Sequence, residues 1–330
     1  MPASPNHRAV AVALLVPLIV SLALWAFSWP AARIAPRDLP VGVAGAAPAA
    51  DALAQRFESR AGAFEVHRYA DADAARTAIE ERAVYGAVIL SAEGPRLLTA
   101  SAASPVVAQL LTEAVTQAAP DGAAIPVTDV VAAPDADPRG SALGASVLPL
   151  TLAGVAAGAL VTLMRLRGAR AGAALAGASV LVGVAATTLA HTWLGVITGD
   201  WWTEAAAIAS TTLAAGATVA GLGALLGTRG IGVGALLVVL LGNPFSGVTS
   251  APELLPAPVG TIGQWLPPGA GGSLLRSVAF FDGNASGRPA LILALWALLG
   301  LTAVLLAGRR RPESAAPAPA GRTPEPALTP

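Results

Sequence analysis

Residues 152–163, LAGVAAGALVTL, and residues 231–241, IGVGALLVVLL, carry no charged side chain on any face of a helix. A helix packed against a soluble core keeps a polar side; these runs have none. Crossing a hydrocarbon layer of about 30 Å takes about 20 apolar helical residues. Runs of that kind recur through Leu143–Gly308 with only short polar breaks. They divide into spans at Leu143–Leu163, Gly172–Ile197, Thr203–Leu226, Ile231–Val248 and Pro289–Gly308.

A further run, Ala9–Trp29, stands apart near the N-terminus. A cleaved signal peptide is the competing reading, since an Arg precedes the run and small residues, Ala31 and Ala32, follow it. The run exceeds the apolar core of about 7–15 residues typical of such peptides. It also ends in Trp25, Phe27 and Trp29, which suit a membrane interface. An uncleaved span is therefore expected.

Composition narrows the function classes. The chain has 330 residues, is 55% hydrophobic and only 12% charged, and has zero formal net charge. No basic surface argues for nucleic acid. There is no Cys, which removes disulfides, thiolate metal ligands and Cys nucleophiles. Every basic side chain is Arg.

Most of the charge falls in residues 33–139, where hydrophobic patterning changes. Strands are expected at Leu39–Ala44, Phe64–Tyr69, Val84–Leu90, Pro95–Ser101 and Ile125–Val131. Helices are expected at Pro48–Arg60, from Asp71 to Ala83, and from Ser104 to Ala119. Asp71 and Ser104 are good N-caps, and Pro105 follows at the first helical position. Alternating strands and helices imply a small α/β domain. Asp135–Gly140 reads as a linker.

Arg placement sets the expected orientation. Arg8, then Arg165, Arg167 and Arg170, then Arg229, then Arg309–Arg311 all fall on one side if the spans alternate. The opposite side carries Asp200 and Glu204 in a short loop. It also carries Arg276 and Arg288 against Glu253 and Asp282 in a long one. This is the positive-inside pattern with both termini cytoplasmic in a bacterial cytoplasmic membrane. The resulting fold class is a membrane all-α bundle of six transmembrane helices with an inserted extracytoplasmic α/β domain between helices 1 and 2. Its divisions are a cytoplasmic N-terminus at 1–8, the first span at 9–29, the domain at 33–139 and five further helices within 143–308. These last include an outer re-entrant segment at 249–287, and a disordered cytoplasmic tail covers 309–330.

Motifs for chemistry are sparse. A phosphate-cradling loop of the Gly-x4-Gly-Lys type needs Lys, which the chain lacks. Gly221-Leu-Gly223 lies inside a span, where small residues let helices approach. The three His residues, His7, His67 and His191, are scattered, so no metal site and no cofactor is expected. No nucleophile elbow occurs, and no enzymatic activity is expected of this chain. His191 is ionisable and within a span, hence a candidate for a substrate path or gate. The plainer expectation is a neutral His bonded to Thr187 or Thr188. Asn243-Pro244 closes an apolar run. Pro244 cannot donate to the helix ladder, so a carbonyl one turn earlier needs another partner, and the Asn243 amide can supply one. Residues 252–281 are rich in Pro and Gly yet apolar, with Leu274–Phe281 as a short amphipathic helix. They are expected to pack back on the bundle as a plug.

Several of these residues resemble a known family. Leu39-Pro-Val-Gly-Val43 resembles the opening strand of the outer domain in permease subunits of type-2 ABC exporters, including the phage-infection-protein-like branch. Tyr69-Ala-Asp-Ala-Asp-Ala-Ala-Arg76 leading into Val84-Tyr-Gly-Ala-Val-Ile-Leu90 resembles that domain's helix and following apolar strand. Asn243-Pro-Phe-Ser-Gly247, Pro252-Glu-Leu-Leu-Pro256 and Leu266-Pro-Pro268 resemble its outer re-entrant segment. The resemblance covers most of residues 9–308. It implies a permease subunit working as a homodimer or heterodimer in the lipid bilayer, with ATP hydrolysed by a separate ABC-type ATPase subunit. It also implies outward movement of a substrate and makes Arg165, Arg167 and Arg170 the candidate ATPase contacts; the apolar path with few charges favours a hydrophobic or lipid-like cargo over a highly charged one. The family's cytoplasmic coupling helix has only this short counterpart. The alternative is a non-transporting membrane protein whose α/β domain binds a partner or an envelope component.

Overall fold

The first helix, α1 (Pro5–Ala31), begins earlier than the expected Ala9, with Pro5 in a position where proline is favoured. The structure, a computed structural model, describes residues 5–60, 62–118 and 125–309. The expected tail from residue 310 onward lies outside them. Nearly all of α1 is exposed. It meets the rest of the molecule near its C-terminal end, where Trp29 packs against Phe245, Leu255 and Val259.

The charged middle of the chain forms a five-stranded mixed sheet. Its elements are β1 (Leu39–Gly45), α2 (Ala47–Glu58), β2 (Phe64–Tyr69), α3 (Ala72–Glu80), β3 (Gly86–Ser91), β4 (Gly94–Thr99), α4 (Pro105–Ala118) and β5 (Val127–Asp129). The spatial order is β2-β1-β3-β4-β5, antiparallel only between β3 and β4. The local reasons are those the residues suggest. The Asp71 carboxylate accepts from Ala74 N at 2.8 Å and starts α3. Ser104 Oγ accepts from Val107 N at 3.2 Å at the start of α4. Gly94, at φ +115°, closes the β3–β4 hairpin in a conformation that side chains resist. The strand expected over Ile125–Val131 shortens to Val127–Asp129 at the sheet edge.

Six helical segments are long and apolar enough to cross a membrane, among the described residues. Besides α1 they are α5 (Ser141–Leu163), α6 (Gly168–Thr187) with a π-helical extension Thr188–Trp193, and α7 (Trp201–Leu226). The others are α8 (Thr228–Ala235) continuing through a π-helical stretch Leu236–Gly242 into α9 (Asn243–Phe245), and α12 (Gly287–Arg309). The span expected to reach Ile197 stops earlier, because Gly195 turns at φ +65° and ends the helix.

Helix α7 is the axis of the bundle and packs on α5, α6, α8 and α12. Its buried residues are mostly Ala, Gly and Thr, which bring helix backbones close. A methyl group on Gly221 would fall 2.9 Å from the Cα of Gly300 in α12. Gly221 thus serves close helix packing, as its place in a span suggests. The Thr hydroxyls of α7 return to their own helix: Thr211 donates to Ala207 O at 2.9 Å and Thr212 to Ile208 O at 3.0 Å.

Since the helices alternate in direction, residues 5 and 309 lie at one end of the bundle. Arg165, Arg167, Arg170 and Arg229 lie there too. The α/β domain sits at the other end, tied to α5 by Asp137. Its carboxylate accepts from Ser141 N at 2.9 Å and Ala142 N at 2.7 Å. The linker residue is therefore a helix cap.

The domain end is covered by a short 3₁₀ turn (Pro252–Leu254), α10 (Val259–Gln264) and α11 (Pro267–Phe280). The expected amphipathic helix at Leu274–Phe281 is longer than anticipated, and most of its residues are buried. It lies between α7 on one side and the α/β domain on the other, so it has no solvent face to keep polar.

Candidate functional site

The backbone at Asn243-Pro244 behaves as its chemistry requires. Asn243 Nδ2 donates to Val238 O and Val239 O, each at 3.4 Å. The Val239 carbonyl is one that the missing Pro244 N–H leaves short of a partner. The helix widens into the π-helical stretch before Asn243 and ends at Phe245. Leu254, Leu255, Leu266, Leu274, Leu275 and Phe281 of the following segment are buried. Trp265, expected among them, is 52% exposed: the Arg288 guanidinium lies over its ring, 5.4 Å from the centroid. The cationic head rests on the ring face, an arrangement that leaves the indole at the surface.

His191 departs from the plainer expectation of a threonine partner. The Thr188 hydroxyl donates to Val184 O at 2.8 Å instead. His191 Nδ1 is 2.8 Å from Glu204 Oε2. Glu204 is wholly buried, and its other oxygen accepts from Gly199 N at 2.8 Å. It lies in the first turn of α7, where the positive end of the helix dipole favours a carboxylate. The π-helical turn that carries His191 and the α6–α7 connection bring the pair together. Among the described residues no third His, Cys, Asp or Glu joins it to make a metal-binding group. His191 and Asn243 thus lie toward the same end of the bundle on separate spans, each with its own partners.

At the opposite end Arg165 and Arg167 line a cavity of about 890 Å³ between α5, α7 and α12. Its walls include Val161, Gly223, Thr302 and Val304. Arg170 is not among its lining residues. The α5–α6 connection is residues 164–167, and Gly227 alone separates α7 from α8. No helix projects from either connection.

The charge assembly that sequence reasoning missed lies where the α/β domain meets α11. A cavity of about 440 Å³ there is lined by Arg82, Tyr85, Glu253, Arg276 and Arg288, among others. Arg82 follows the end of α3 with φ +62°, a position where glycine is usual. Its Nη1 donates to Ser273 O at 3.1 Å and also to Ser277 Oγ. The Tyr85 hydroxyl donates to Glu253 Oε2 at 2.8 Å. Arg276 is 6% exposed; its Nη2 donates to Val248 O at 2.8 Å, and its Nε has no partner.

Burial lowers both Arg82 and Arg276, the latter to about 10, with Arg82 adding repulsion. At about 10, Arg276 remains charged at neutral pH. Burial, then the Glu253 carboxylate, pushes the Tyr85 phenol up, so it stays a donor. The available signal in the sequence was Arg276 within an apolar, Gly-rich stretch. Counting it among loop charges hid its burial.

Comparison with protein-family models, with curated proteins and with solved structures finds no match to this chain.

Proposed function

We propose that the chain is the membrane-spanning permease subunit of an ATP-driven exporter, with ATP hydrolysed on a separate chain. The domain end faces outward, and both termini are cytoplasmic in a bacterial cytoplasmic membrane. The observation that carries this reading is the asymmetry of the bundle. Its arginine end opens into the cavity of about 890 Å³, whereas α10 and α11 cover its domain end. A substrate entering from the cytoplasmic leaflet meets a largely apolar wall, which suits hydrophobic or lipid-like cargo. Outward release then requires the covering segment to move, with Asn243-Pro244 as its hinge. Arg165 and Arg167, at the cavity rim, are the candidate ATPase contacts.

One observation favours a second reading, a non-transporting membrane protein whose α/β domain binds a partner. The connections at 164–167 and Gly227 offer no helix for an ATPase to grip. Purification of the full chain from its native membrane in mild detergent, with a cross-linkable Cys in place of Arg167, separates the two. A nucleotide-hydrolysing subunit recovered through that Cys supports the exporter. Recovery of the chain with no such subunit, and no ATP-dependent transport in vesicles, removes it in favour of the second reading.

A further inference from the structure

We infer that the cavity between the α/β domain and α11 is a binding site for a phosphate-bearing anion, either a lipid headgroup or a soluble phosphate. The inference stands apart from whether the chain transports anything.

The charge balance comes first. Arg82, Arg276 and Arg288 face one carboxylate, Glu253, among the ionisable lining residues. Among the described residues, no carboxylate oxygen approaches any of these guanidinium groups within 4.0 Å. Glu253 is instead held by Tyr85. The lining therefore carries excess positive charge with no internal counter-ion in contact. For Arg276, the buried member of the three, such a charge is costly unless paired.

Hydrogen-bond capacity comes second. Arg276 is almost wholly buried, and its Nε is left without an acceptor. A buried guanidinium donor left without an acceptor is costly. Planar guanidinium forks suit the oxygens of phosphate.

Backbone conformation comes third. Arg82 holds a left-handed φ of +62° where glycine is unstrained. From there the Arg82 guanidinium reaches α11, where Ser273 O and Ser277 Oγ hold it at the cavity wall. The cavity has the size of a small-ligand site. The first turn of α12, Gly287–Pro289, closes one wall and adds the positive end of a helix dipole. Because α12 is an apolar span that begins at this wall, the cavity lies where a lipid phosphate would sit beside the helix end.

The test uses the full chain, delipidated in detergent. One arm is equilibrium dialysis with labelled inorganic phosphate. The other is native mass spectrometry in the presence of phosphatidic acid, with a lipid lacking phosphate as the control. Phosphate bound in both arms identifies a site for the soluble anion; retention of phosphatidic acid alone identifies a headgroup site. In either case Arg276→Gln and Arg288→Gln weaken binding about tenfold or more. Arg288 is exposed at the rim, so its variant tests the site even if Arg276→Gln fails to fold. Glu253→Gln removes the single negative charge and should tighten binding, an effect that lost structure would not produce. No binding in either arm overturns the site. So does binding that is indifferent to Arg288→Gln and Glu253→Gln.

Discussion

His191 Nδ1 and Glu204 Oε2 lie 2.8 Å apart across the α6–α7 connection, the imidazole partly exposed and the carboxylate wholly buried. Each is the other's side-chain partner at the end of a span. His191→Ala leaves the carboxylate with the Gly199 backbone N–H as its remaining donor. The expected loss is about 2–3 kcal/mol, read from denaturant unfolding in detergent. Combining it with Glu204→Gln should cost clearly less than the two separate losses added together. Strict additivity would show that the hydrogen bond carries no coupling.

Asn243 and Pro244 act as donor supplied and donor lost. Asn243→Ala removes the amide that serves Val238 and Val239, at about 1 kcal/mol. Adding Pro244→Ala restores a backbone N–H facing the preceding turn, so the double variant should recover part of that loss. If the following segment closes a transport path, the double variant alters transport more than thermal stability. A loss of stability with transport intact marks a cap on the bundle.

Accessibility labelling tests the proposed orientation. Residues 168, 229 and 315 should react from the cytoplasmic side, and residues 100, 200 and 265 from outside. An external signal at 168 or 229 overturns the topology.

The seam between α7 and α12 is sensitive to a single side chain. Gly221→Leu places carbon against the Gly300 backbone and should cost about 1–3 kcal/mol or more. Gly232→Leu, with nothing within 4 Å of its Cβ position, is the control and should be close to neutral. Equal losses would mean that close packing at Gly221 contributes nothing.

The α/β domain borrows core residues from the segment it rests on. Phe281 joins the cluster of Ala75, Ile79 and Ile89; Leu254 joins that of Leu39, Val88 and Leu97. An excised 33–139 fragment is expected to fold cooperatively but to bind a hydrophobic dye at the vacated contacts. In the full chain Leu254→Ala should cost about 2–5 kcal/mol. A dye-silent fragment would show that the contacts are dispensable.

The spans were legible because the length of an apolar run is a local property. The helices and strands of the α/β domain were legible because the caps Asp71 and Ser104 and the β-branched runs act within a few residues. The His191–Glu204 pair was not, since each was weighed against its own sequence neighbours. Helices that reverse at a short turn bring both flanking ends together, and that was the signal available. Arg276 reads as one of the loop charges because charge counts carry no depth. Its neighbours Leu274 and Leu275 were the local hint of burial. The junction cavity needed Arg82, Glu253, Arg276 and Arg288 in one place, and no sequence spacing encodes that.

The sharing of Leu254 and Phe281 between the sheet and the bundle also imposes an order of assembly. The ribosome delivers the strands first, then α5 to α9, and only afterward the two residues that complete the sheet's two faces. Until those residues arrive, the domain waits with both contacts open. Seating the segment from Leu254 to Phe281 therefore closes the domain and the bundle in one late event. A fault in any intervening span would leave those two contacts of the folded sheet open.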